Sequence, residues 1–336
     1  MADVRTIAVT LVAGLAGAAL AALAGVPAGA LIGSTVAVAA LAATGVAVGL
    51  PTRLRDVAFA TIGVSLGSGI DERIFAQAGT WALSLCILVL SLVATIAAGR
   101  VILTRGFGLD TESATLASAP GTMSNVIALS VDGHGDTTAV MFLQLMRLLI
   151  LVLAVPPLAV ALDGSASESG IAAEVMPVAA FAVLLVLAVA FGLLGGRLGL
   201  PAASLLAGMV VSSAGHAFGL VHGAAPGWAI FAAFAVTGAV LSTRMSRVTG
   251  AQVRRHALAG ASVVATALIL SLGFALAARA VTGLSLAQVW IAYAPGGVEA
   301  MAAIGLSLGY DPAFVAVHHF ARIFALVVIL PIALRI

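Results

Sequence analysis

The sequence predicts an all-α polytopic membrane protein built as two inverted repeats of about five crossings each, with one broken or re-entrant Pro-Gly helix per repeat. Three observations lead there. The 336 residues are 62% hydrophobic and only 8% charged, with a mean hydropathy of +1.22, whereas soluble domains are about half apolar and about a quarter charged. The apolar residues fall into twelve blocks of helical length. Rare residues also recur in register between the two halves, as with Pro120 and Pro295, Asp136 and Asp311, or Arg147 and Arg322.

The blocks run 7–25, 28–49, 56–70, 79–104, 112–131, 137–162, 175–196, 201–222, 227–243, 256–280, 285–308 and 312–334, separated by Pro, Gly or charge. None shows the ten-residue alternation of a membrane β-strand, so each reads as helix. The first resembles a cleaved leader. A comparable block opens the second half at 175–196, so the first is read as a retained helix. The second block follows Gly25-Val-Pro27-Ala28, and its counterpart follows Gly199-Leu-Pro201-Ala202. In the third, Gly63-Val-Ser65-Leu-Gly67 matches a hydrolase nucleophile pattern without the strand context that pattern requires, and reads as a packing stripe. Gly25, Gly29 and Gly33 are spaced for close helix approach.

A shift of 175 residues brings the halves into register: Gly63 falls on Gly238, Pro51 on Pro226, Gly108-Leu109 on Gly283-Leu284, and Pro156 on Pro331. The chain therefore divides into a first membrane repeat, 1–162, a linker, 163–173, and a second repeat, 174–336.

Charge fixes the topology. The chain has fifteen basic residues, all arginine, and thirteen acidic ones, for a net +2. The isoelectric point near 9.3 reflects arginine placement rather than a nucleic-acid footprint, and no nucleic-acid partner is expected. If one segment per repeat enters and leaves on the same side, eleven arginines fall inside and two, Arg73 and Arg279, outside. That is the positive-inside pattern, and five crossings per repeat invert the second copy. Both termini are then cytoplasmic. Cys86 is the single cysteine, which excludes an intramolecular disulfide and a thiolate cluster.

The fifth and eleventh blocks carry the most informative motif. Ser118-Ala119-Pro120-Gly121-Thr122-Met123-Ser124-Asn125 aligns with Tyr293-Ala294-Pro295-Gly296-Gly297-Val298-Glu299. Proline lacks a donor and clashes with the preceding turn, and glycine permits non-helical dihedrals, so each helix breaks. Free N–H groups at the start of each second half-helix would face the gap. The plainer alternative is a proline kink between packed helices.

Arg147 and Arg322 each lie eleven residues after a helix-opening Asp, about 16 Å into the membrane. Gln144 and His319 precede them by three residues and His318 by four, which predicts shared polar faces. Two roles stay open: the arginines tie broken-helix carbonyls while Glu299 neutralises one of them, or the group contacts a ligand or a coupled proton. Asp136 and Asp311 read as N-caps. The six histidines contain no i,i+4 pair, so no metal or other cofactor is expected.

These paired motifs, in order and over nearly the whole chain, resemble the AbrB-type membrane duplication family. Its members carry labels such as regulator of aidB expression and ammonia monooxygenase. Thr122 departs from the family's Pro-Gly-Gly in the first copy. The resemblance implies a multi-pass bacterial inner-membrane protein related in architecture to inverted-repeat secondary carriers.

The expected function is secondary transport, with proton coupling as an option, of a small polar or anionic solute at a midplane site between the broken helices. The binding candidates are Ser118, Pro120, Gly121, Ser124, Asn125, Gln144, Arg147, Tyr293, Pro295, Gly296, Gly297, Glu299, His319 and Arg322. The alternative is a membrane-embedded regulator or sensor of gene expression without transport, working through the Arg244 to Arg255 loop. A monooxygenase ranks third, because no metal-ligand cluster is visible, so the chain is not read as an enzyme. The expected partners are the solute, the lipid bilayer and a second copy in a homo-oligomer.

Overall fold

A computed structural model describes residues 3–69, 73–120, 126, 129–130, 135–163, 174–245 and 248–335. These residues are helical almost throughout, joined by short turns. The helices are α1 (Val4–Leu23), α2 (Gly29–Ala43), α3 (Thr52–Gly67), α4 (Arg73–Val101), α5 (Thr111–Ser118), α6 (Thr137–Asp163), α7 (Val178–Arg197), α8 (Ala203–Ala217), α9 (Gly227–Met245), α10 (Gly250–Thr282), α11 (Leu286–Tyr293), α12 (Val298–Ser307) and α13 (Pro312–Arg335). A π-helical turn, Ile102–Gly106, extends α4. Among the described residues, seven helices are long and apolar enough to cross a membrane: α1, α4, α6, α7, α9, α10 and α13. The protein is a polytopic α-helical membrane protein, as its sequence predicts.

Two compact units form, and both draw on each half of the sequence. The first comprises 1–76, 164–246 and 302–313; the second comprises 77–163, 247–301 and 314–336.

In the first unit the helix pairs recur under the 175-residue shift. Helix α1 packs on α2 as α7 packs on α8, and α3 packs on α8 as α9 packs on α2. The glycines explain the close approach. A Cβ on Gly63 would meet the Leu205 carbonyl oxygen, and one on Gly238 would meet the Leu31 carbonyl oxygen. The glycine pattern in α3 is thus a packing stripe. Around it Ala60, Val64, Phe181, Leu184 and Ala188 form a buried cluster.

Helices α2 and α8 end sooner than the apolar blocks 28–49 and 201–222 predict, at Ala43 and Ala217. The chain turns at Gly45 and Gly219, both at positive φ, a conformation that ends a helix whatever the hydropathy beyond it. Ala28 and Ala202, which precede these helices, also lie at positive φ, 53° and 49°. The matching strain at both copies of the Gly-x-Pro-Ala turn is the backbone signature of the duplication.

In the second unit α6 packs against α5, α10 and α11, and α10 packs against α11. Leu92, Ile96, Leu116, Val140, Leu326 and Leu330 form one buried cluster. Leu103, Ala114, Phe142, Leu143, Ala259 and Val263 form another.

Gly63→Val and Gly238→Val should each cost about 1–3 kcal/mol or more by overpacking against backbone, read as a lower unfolding temperature in detergent. Gly273→Ala is the control. It lies in α10 with open space around its Cβ, and its unfolding temperature should not fall.

Candidate functional site

The site grows from two short helices that stop in the interior of the second unit. Helix α5 starts at Asp110, whose carboxylate accepts from the Ser113 amide at 2.8 Å. Burial pushes the Asp110 carboxyl up, but the hydrogen bonds from Ser113 and neighbouring backbone amides outweigh it and hold it below the usual carboxylate range. Helix α11 starts in the same way at Ser285, whose hydroxyl accepts from the Gln288 amide. Asp163, at the end of α6, accepts from the Ala287 amide at 3.3 Å.

Both helices stop as the Pro-Gly motif dictates. Helix α11 ends at Tyr293 and α12 begins at Val298, leaving Ala294 to Gly297 outside both. Helix α5 ends at Ser118, and Ala119 and Pro120 follow it in non-helical form. The predicted site residues Gly121, Ser124 and Asn125 lie outside the described residues.

The last carbonyls of a helix lack an internal partner, and here buried side chains supply donors. Arg147 Nη1 donates to the Ala119 carbonyl at 2.7 Å. Arg322 Nη1 donates to the Ala294 carbonyl at 2.6 Å, and its Nη2 to the Gly296 carbonyl. One turn earlier on each long helix, Gln144 Nε2 donates to Leu116 and Ala119 at 2.7 and 3.1 Å. His319 Nε2 lies 3.0 Å from the Ile291 carbonyl. Each of the four contacts that the two copies share spans 28 residues. The predicted tie between buried arginines and broken-helix carbonyls is therefore present in both copies.

Arg147 is 3% exposed and Arg322 fully buried. Neither has a carboxylate within ion-pair distance among the described residues. Glu299 is half-buried and lies within electrostatic reach of Arg322, as does Arg147. The expected ion pair between Glu299 and an arginine is not found among the described residues. Its Oε2 lies 3.5 Å from where a Gly297 Cβ would stand, and Leu148 of α6 lies equally close. The second break thus sits beside the turn that carries Arg147. Several atoms in this group have no hydrogen-bond partner: Arg147 Nε and Nη2, Arg322 Nε, Gln144 Oε1 and His319 Nδ1.

The other predicted residues serve the backbone. The Ser118 hydroxyl donates to the Ala114 carbonyl at 2.7 Å, and Pro120 and Pro295 are buried. The Tyr293 hydroxyl donates to the Ser84 carbonyl. His318 does not share the face of His319. It turns to Ser84, whose Oγ is 2.8 Å from its Nε2, while its Nδ1 lies 2.8 Å from the Phe314 carbonyl. Adjacent helical residues project about 100° apart, which accounts for the divergence.

Sequence reading missed Ser84 and Ser271. Ser84 receives the end of α11, and the Ser271 hydroxyl accepts from Trp290 Nε1 at 3.1 Å. A lone serine in an apolar helix carries no signal for either role. The Ser285 cap was readable, because Ser285 and Gln288 have capping-box spacing. Asp136 and Asp311 are the caps predicted: Asp136 accepts from Thr138 at 2.8 Å and Asp311 from Ala313 at 2.8 Å.

Arg322→Lys should destabilise the protein by about 3 kcal/mol or more, because an ammonium cannot reproduce two guanidinium bonds to separate carbonyls. Arg147→Lys, with one such bond to keep, should lower the unfolding temperature less. Tyr293→Phe should cost about 0.5–1.5 kcal/mol through the lost hydroxyl bond, because the Ser84 carbonyl, in the interior of α4, keeps its helical partner. Thermal unfolding of the purified variants checks all three.

Comparison with known proteins bears on this architecture. Residues 31–336 match the family model AbrB, described as "Transition state regulatory protein AbrB". The chain is also similar to "Uncharacterized protein YhjN" of Bacillus subtilis (strain 168), at 28% identity over 295 residues, covering 80% of this chain and 75% of the relative. With paired Pro-Gly breaks, paired interior arginines and a family match over nearly its whole length, the chain belongs to the AbrB family.

Proposed function

We propose that the protein is a carrier rather than an enzyme, a secondary transporter for a small polar or anionic solute in a bacterial plasma membrane. The observation that carries this reading is the pair of buried guanidiniums at equivalent positions, which keep unspent N–H donors and have no carboxylate within ion-pair distance among the described residues. An intramembrane charge is costly. An arrangement that only tied off two helix ends would have no use for the surplus donors and charge, whereas a site for an anion needs both.

Two inverted repeats, each contributing one broken helix, are the usual frame for alternating access. The recurrence of the same contacts under the 175-residue shift supports that frame. Glu299 and His319 are the proton-coupling groups in this reading. The regulatory role named in the family's description would then act through the solute carried, because an apolar chain with net charge +2 lacks the basic surface of a DNA-binding protein.

The test is uptake of radiolabelled formate, acetate, lactate, succinate and inorganic phosphate into proteoliposomes, against protein-free liposomes. At least one should show saturable uptake, and Arg322→Gln and Arg147→Gln should each reduce it about tenfold or more, the loss expected when a charge-assisted hydrogen bond is removed. Absence of protein-dependent uptake with every probe, or uptake unchanged in both variants, would overturn the reading.

A further inference from the structure

Resting on the carrier reading, we propose that the solute is a small monocarboxylate held by the free edge of Arg147.

The two arginines match in sequence position but not in what they have left to offer. Arg322 spends both terminal nitrogens on carbonyls and keeps only Nε. Arg147 spends Nη1 alone and keeps Nε and Nη2. Those two N–H groups lie on one side of the planar guanidinium and point the same way, which is the geometry that binds both oxygens of a carboxylate. Arg322 is therefore a clamp on the second break, and Arg147 is the binding residue.

One free edge holds one carboxylate, and the single Nε left on Arg322 offers no second edge to a dicarboxylate.

The experiment measures thermal unfolding of the purified full-length protein with formate, acetate and lactate, and with succinate as the dicarboxylate control. It runs at about pH 7, where the carboxylates are ionised. At least one monocarboxylate should raise the unfolding temperature, and Arg147→Lys should bind it at least about tenfold more weakly. An unchanged Kd in Arg147→Lys, or stabilisation by succinate alone, would each overturn the proposal. Saturable uptake of phosphate or succinate with no stabilisation by a monocarboxylate would overturn it and leave the carrier reading standing. No stabilisation and no flux with any probe would remove both.

Discussion

A carbonyl at the end of a helix that stops inside an apolar interior must find a donor, and the second unit is arranged around how that is done. Leaving such a group unpaired costs about 1–3 kcal/mol, and water is scarce at that depth. A guanidinium answers with several donors, at a desolvation penalty of its own. The two costs offset each other only if the charge reaches the carbonyls on a rigid support. That support is a long helix whose capping aspartate, Asp136 or Asp311, fixes the start of the count. The arginine follows eleven residues later, opposite the place where α5 or α11 gives out.

This constraint explains why proline, glycine, aspartate and arginine keep their positions under a shift that almost everything else ignores. Between them, alanine, valine and leucine are interchangeable as long as the helix faces stay apolar. In the first unit the equivalent fixed points are glycines, because the reciprocal crossings at Gly63 and Gly238 leave no room for a side chain. One unit is held by absent side chains at close crossings, the other by long polar side chains reaching across gaps.

Much of this was legible in the sequence. Hydropathy gave the helices, the Pro-Gly pairs gave the break between α11 and α12, and helical rise placed Arg147 and Arg322 in the interior. Other features left no local trace. Tyr293 meets Ser84 across 209 residues of chain, and a serine in an apolar helix reads the same whether it has such a partner or bonds its own preceding turn. The early ends of α2 and α8 were hidden because apolar residues continue past Gly45 and Gly219, and hydropathy is blind to the positive φ that turns the chain there. The interleaving of the two halves within each compact unit was also invisible, since composition reports what an element is and not which element it packs against.

The duplication is most informative where it fails. Ser84, Tyr293 and His318 form a buried polar group, while the positions 175 residues away hold Ala259, Ser118 and Leu143. There Ala259 and Leu143 belong to an apolar cluster, and the Ser118 hydroxyl bonds within its own helix. Glu299 likewise stands against Ser124, and His319 against Gln144. At all four of these positions that differ in ionisable character, the titratable group is in the second copy. A buried titratable group is an energetic burden that packing alone would remove. Among the described residues, its presence at one of two otherwise matched breaks separates their tasks: both copies satisfy their helix ends, and the second also carries interior ionisable groups.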